Sequence, residues 1–217
     1  MKKKYLLFDL DGTLTDSMEG ITNSVKYALE SYGIYERDME KLVSFIGPPL
    51  VESFMAHYGF EREKAEEAVW KYREYFEKKG MYENAVYEGI PALLEKLKKE
   101  GRTLIVATSK PTGYSKQILA YFDLEKYFDD VQGSSMDGTR VRKEDVIRYT
   151  LDVNGIANTG QAVMIGDRKH DILGGRACGL DTIGVLYGFG SREELEAAGA
   201  GRIASDVEEL GRLLEVV

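Results

Sequence analysis

Apolar positions along this chain fall into two textures. From about residue 18 to 80 they recur three or four apart, the spacing of a helix with one buried face. Met18, Ile21, Val25, Leu29 and Tyr32 form one stripe. Met39, Leu42, Val43 and Ile46 form a second, Val51, Phe54, Met55 and Tyr58 a third, and Ala65, Val69, Tyr72 and Phe76 a fourth. Gly33, Pro48-Pro49, Gly59 and Gly80 separate them, where a helix stops or the chain turns. The pattern predicts four helices with a core of their own, to which Tyr72, Tyr75 and Phe76 contribute.

After about residue 88, short apolar runs alternate with helical stretches. Residues 104–107, 131–133, 162–165 and 182–185 read as buried strands. Residues 90–99, 111–122, 143–152, 171–178, 193–198 and 207–214 read as helices, with Gly179 as a C-cap. Strands separated by helices imply a parallel sheet covered on both faces. The run Tyr5-Leu6-Leu7-Phe8 is one more buried strand and belongs to that sheet. The expected fold is therefore α/β, a doubly wound, mainly parallel sheet with a small four-helix domain inserted after the first strand. Residues 1–16 and 85–217 make the core domain and residues 17–84 the insert.

A net charge of -8 argues against nucleic acid as a partner, because phosphate backbones are held by clustered Lys and Arg. The single cysteine, Cys178, allows no internal disulfide and sits in an apolar helical context that suits packing. The stretch after Met1-Lys2-Lys3-Lys4 is too short for a signal h-region, and no run approaches a membrane span. These features lead us to expect a cytoplasmic protein with no membrane partner.

Chemistry concentrates where the strands end. Asp9-Leu10-Asp11-Gly12-Thr13 follows the first strand directly, so two carboxylates are presented at its carboxyl end, where open α/β sheets bind ligands. Acids this close repel unless a cation or a proton is shared. Thr108-Ser109-Lys110 follows a second strand and leads into a helix, whose first N–H groups and a hydroxyl can donate to phosphate oxygens. Gly166-Asp167-Arg168-Lys169-His170-Asp171 follows a third and adds two more acids. Lys143 opens the helix between them. Each type has a task in phosphoryl transfer. A carboxylate can attack phosphorus, and a second acid can protonate the leaving alkoxide and then activate water. Hard oxygen ligands suit Mg²⁺, while a Lys and a hydroxyl neutralise the phosphoryl oxygens.

With these motifs the chain resembles a haloacid dehalogenase (HAD) superfamily phosphatase of the phosphoglycolate-phosphatase-like branch, over essentially its whole length. The resemblance implies a Rossmann-like core, with the helical insert as that branch's cap. It implies Asp9 as nucleophile and Asp11 as general acid and base. It implies Mg²⁺ held by Asp9, the Asp11 carbonyl and Asp167, with Asp171 close by, and Thr108, Ser109 and Lys143 on the phosphate. The substrate it implies is a small phosphorylated metabolite. Where many relatives carry a Lys-Pro pair, this chain has Thr139-Arg140-Val141-Arg142-Lys143-Glu144, and Lys143 is taken over Arg142. Gly138-Thr139-Arg140, Gly166-Asp167-Arg168 and the segment from Gly184 to Ser191 look more like 5′-nucleotidase-type members. A 5′-nucleotidase is the alternative reading. A mutase of the beta-phosphoglucomutase kind and a receiver-like phosphate-binding protein stand behind both.

Overall fold

The apolar run near the N-terminus becomes a central strand. The computed structural model describes residues 2–215, and in it that run is β1 (Tyr5–Phe8). Two short strands, β2 (Thr15–Asp16) and β3 (Ala85–Val86), pair in a separate two-stranded sheet. β1 lies between β4 (Thr103–Pro111) and β6 (Ala162–Gly166). With β5 (Asp130–Ser134), β7 (Asp181–Val185) and β8 (Arg202–Ala204), the main sheet has the order β5-β4-β1-β6-β7-β8. All its strand pairs are parallel, so their carboxyl ends share one edge.

Leu6, Leu7 and Phe8 are fully buried, as expected of a strand covered on both faces. Leu7, Ile105, Ala107 and Met164 share one cluster with Val146, Ile147 and Leu151, which belong to a helix at Lys143–Val153. The alternate residues Leu6, Phe8, Leu104 and Val106 point the other way, where Phe8 meets Phe128 edge-on with centroids 6.1 Å apart. Burying one such aliphatic side chain contributes about 1.5–3 kcal/mol.

In the insert, α1 (Met18–Glu30) packs on α4 (Arg62–Tyr75) and on a π-helical turn, Phe76–Gly80, and α3 (Leu50–Tyr58) packs on α4. α2 (Met39–Val43) is short, and the Asp38 side chain caps it by accepting from the Glu40 and Lys41 N–H groups. The aromatics of this unit form its own core: Phe45 lies 5.0 Å from Phe54, and Tyr72 stacks on Phe76 at 5.4 Å. In the remainder, α5 (Ile90–Lys99) and α6 (Thr112–Tyr121) pack on β4. α7 (Lys143–Val153) packs on β4 and β5, α8 (Lys169–Ala177) on β6 and β7, α9 (Arg192–Ala197) on α8, and α10 (Val207–Leu213) on β8. The chain divides into two compact units, Met1–Thr15 with Val86–Val217, and Asp16–Ala85.

Several boundaries differ from expectation. β4 runs on to Pro111, so Thr108, Ser109 and Lys110 lie on extended chain, and α6 starts at Thr112 with Pro111 before it. A residue ahead of proline is disfavoured in the helical region, which keeps Lys110 extended. α8 begins at Lys169, because the Asp171 side chain accepts from the Arg168 N–H at 3.1 Å and so caps the helix start. Tyr32 and Ile46 fall outside the helices their stripes suggested. The strands β2, β3 and β8 were not expected; two or three residues carry no period to read.

Candidate active site

The site is built where β1, β4 and β6 end. The Asp9 N–H donates to the Ile165 carbonyl at 2.9 Å, which extends the β1–β6 ladder by one residue and fixes the start of the turn. Gly12 then takes φ +81°, and a Cβ there would stand 2.2 Å from Asp167 Oδ2. Only glycine meets both demands.

Asp9, Asp167 and Asp171 come together, each offering a carboxylate oxygen within 4.8 Å of the others, and all three are buried. Lys143 joins them from the first residue of α7. Its ammonium lies 2.8 Å from Asp9 Oδ1 and 2.7 Å from Asp171 Oδ1, and it donates to the Ala107 carbonyl at 3.2 Å. The Leu10 N–H also donates to Asp9 Oδ1, at 2.8 Å. Among the described residues no hydrogen bond engages Asp9 Oδ2.

Three buried carboxylates face one ammonium, and their proton affinities record the imbalance. Burial pushes Asp167 well above the usual carboxylate range, and Asp171 and Asp9 push the same way. Asp171 is raised to about 7 by burial and by Asp9, against the pull of Lys143. Burial alone would lower Lys143, but Asp171 and Asp9 more than reverse it and hold the ammonium above its ordinary value. A divalent cation would supply the missing positive charge. The all-oxygen donor set of Asp9, Asp167 and Asp171 fits a hard cation such as Mg²⁺.

Asp11 faces a second cation. Its Oδ2 lies 2.9 Å from Lys110 Nζ, both side chains being largely buried, while Oδ1 is buried with no hydrogen-bond partner among the described residues. The Thr108 hydroxyl accepts from the Lys110 N–H at 3.2 Å, and Ser109 beside it is half-buried. Arg142 is exposed where Lys143 is buried. Arg168 turns from the cluster to Glu194, with Nε 2.9 Å from Oε1. His170 is half-buried and held below its ordinary pKa by burial and by Arg168, Lys169 and Lys143.

Three participants went unread in the sequence. Lys110 stands in the Thr108-Ser109-Lys110 motif, but its pairing with Asp11 needs the β1–β4 register. Tyr187, whose hydroxyl donates to the Thr13 carbonyl at 3.1 Å, and the Phe189 N–H, which donates to Asp167 Oδ2 at 2.8 Å, sit in a loop without acids or bases. Burial, then Asp167 and Tyr87, push the Tyr187 hydroxyl above its ordinary range, so it stays a donor.

A family model described as haloacid dehalogenase-like hydrolase matches residues 6–185. The chain belongs to the haloacid dehalogenase-like hydrolase family. This HAD-family protein is 50% identical over 210 residues to a 5′-nucleotidase of Pseudomonas aeruginosa, covering 97% of this chain and 95% of that one. It is 36% identical over 214 residues to the tyrosine-protein kinase PtkA of Mycobacterium tuberculosis, covering 97% and 72%. A crystal structure described as a predicted phosphatase from Clostridium acetobutylicum matches with a TM-score of 0.96 and 52% identity, covering 100% of both chains. The protein is thus a HAD-family phosphatase. Among the described residues no helix is long and apolar enough to cross a membrane.

Proposed function

We propose that the protein is a Mg²⁺-dependent phosphomonoesterase that works through an aspartyl-phosphate on Asp9, with a nucleoside 5′-monophosphate as its substrate. The observation that carries the mechanism is the placement of Asp9, which has one carboxylate oxygen held by Lys143 and the Leu10 N–H, and shares a buried cluster with Asp167 and Asp171. The half-identical 5′-nucleotidase favours nucleotides over the phosphoglycolate-like substrate that ranked first in the sequence. The small soluble substrate and the charge of -8 suit a cytoplasmic enzyme without nucleic-acid or membrane partners.

Asp9 Oδ2 attacks phosphorus while the bond to the leaving oxygen breaks, and Asp11 gives that oxygen its proton. Asp11 then takes a proton from water, which attacks the phosphorus, frees inorganic phosphate and restores the Asp9 carboxylate. Thr108, Ser109 and Lys143 hold the phosphoryl oxygens. Mg²⁺, held by Asp9, Asp167 and the Asp11 carbonyl with Asp171 nearby, would neutralise charge on the phosphoryl group and orient it.

Phosphate release from nucleoside 5′-monophosphates, 2-phosphoglycolate and sugar phosphates tests this reading. The nucleotides turn over fastest, EDTA abolishes turnover and Mg²⁺ restores it. Asp9→Asn lowers kcat on the order of 10³-fold or more and leaves the circular dichroism spectrum unchanged. Substantial turnover by that variant removes Asp9 as nucleophile. A parallel incubation with ATP and a tyrosyl peptide tests the activity in the mycobacterial relative's name. Phosphotyrosine formed faster than phosphate is released would contradict the hydrolase reading.

A further inference from the structure

The loop from β7 to α9, residues 186–191, carries no acid or base, yet it touches both halves of the site. The Tyr187 hydroxyl holds the Thr13 carbonyl at 3.1 Å and the Phe189 N–H holds Asp167 Oδ2 at 2.8 Å. Gly188 is pressed between the same two segments. A Cβ there would lie 2.2 Å from the Gly12 carbonyl oxygen and 2.4 Å from Asp167 Cβ. A Cβ on Gly190 would lie 1.9 Å from the Asp167 carbonyl oxygen. Thr13 closes the circuit, with Oγ1 3.4 Å from Asp167 Oδ1. Behind the loop, the Tyr187 ring packs edge-on against Tyr87 at 5.0 Å, and the Tyr87 N–H holds the Leu14 carbonyl at 3.2 Å.

We propose that residues 187–190 are a positioning clamp, which sets the distance between the turn bearing Asp9 and Asp11 and the carboxylate of Asp167. Tyr187 and the Phe189 N–H are its positioning residues. The proposal rests on the reading of Asp9 and Asp167 given above. A carboxylate that ligates a metal needs its own hydrogen-bond partners to stand in one orientation, and such partners are typically worth about 10–100-fold in metal affinity or activity. Phe189 and Thr13 supply one partner to each Asp167 oxygen, and Tyr187 ties Thr13 to the same loop.

Two variants test the clamp. Tyr187→Phe keeps the ring on Tyr87 and removes only the hydroxyl. Gly188→Ala forces the loop off Gly12 and Asp167. The readouts are the metal-free thermal midpoint, the Mg²⁺ concentration giving half of the metal-induced rise in that midpoint without substrate, and kcat and KM for p-nitrophenyl phosphate. Gly188→Ala raises the half-effective Mg²⁺ concentration about tenfold or more. Tyr187→Phe lowers kcat about tenfold with KM within about twofold, and its metal-free midpoint stays near wild type. If Gly188→Ala does not fold, Tyr187→Phe carries the test. Variants that respond to Mg²⁺ and turn over as the wild type does, whatever their midpoints, overturn the clamp alone. A wild type indifferent to Mg²⁺ overturns the metal reading and the clamp together, because no ligand set is then left to position.

Discussion

Lys110 and Asp11 meet at 2.9 Å, with their side chains 6% and 12% exposed. Removing one partner of a buried pair leaves a charge without compensation and typically costs about 3–5 kcal/mol. Lys110→Met should therefore destabilise the protein by about 3 kcal/mol in urea unfolding. The double variant Lys110→Met with Asp11→Asn should recover much of that loss, because no charge is then stranded. Strictly additive losses would show that the two residues do not support each other. Asp9 and Asp167 were legible because each follows an apolar run of strand length: Asp9 after Phe8, Asp167 after Ile165-Gly166. Lys143 was legible because it opens a helix at the same edge. Lys110 and Tyr187 were not, because their partners, Asp11 and the Thr13 carbonyl, are set by strand register and by a loop path rather than by local pattern.

At the scale of elements, the sheet and the longer helices were readable from their period, and β2, β3 and β8 were too short to show one. The polar Thr108-Ser109-Lys110 suggests an end of β4 at Ala107, whereas Pro111 keeps the chain extended through it. The connection from α1 to α2 offers a test of a local device. Glu36 accepts from the Asp38 N–H at 3.0 Å, pairs with Lys41 at 3.1 Å and accepts from the Tyr58 hydroxyl at 3.0 Å. These partners, the Asp38 N–H first, hold its carboxyl down to about 2. A carboxyl lowered on folding stabilises the protein above its ordinary pKa, and the contribution is lost as pH falls toward the folded value. The thermal midpoint of Glu36→Gln should lie below that of the wild type at pH 7, and the gap should close as pH falls from about 4.5 toward about 2. A gap that widens in acid would contradict this account of α2 and α3.

At the scale of the molecule, the break in texture near residue 88 exposed the inserted helices, and the alternation after it exposed the parallel sheet. The substrate had a weaker signature, confined to the resemblance of residues 138–140, 166–168 and 184–191 to 5′-nucleotidase-type members, because the polar set proposed for the phosphoryl group says nothing of the rest of the ester. The proposed Mg²⁺ site carries a prediction for the whole molecule. Mg²⁺ at about a hundred times its dissociation constant should stabilise the fold by about 2.7 kcal/mol, a rise of about 5–10 °C in thermal midpoint for a chain of this size. No rise in differential scanning fluorimetry would remove Asp9, Asp167 and Asp171 as a ligand set. The central claim is that Asp9 takes the phosphoryl group, and trapping tests it most directly. Enzyme quenched in acid during turnover, reduced with borohydride and digested should yield the peptide around Asp9 with that aspartate converted to homoserine. An unmodified Asp9, or conversion at any other carboxylate, would contradict the account.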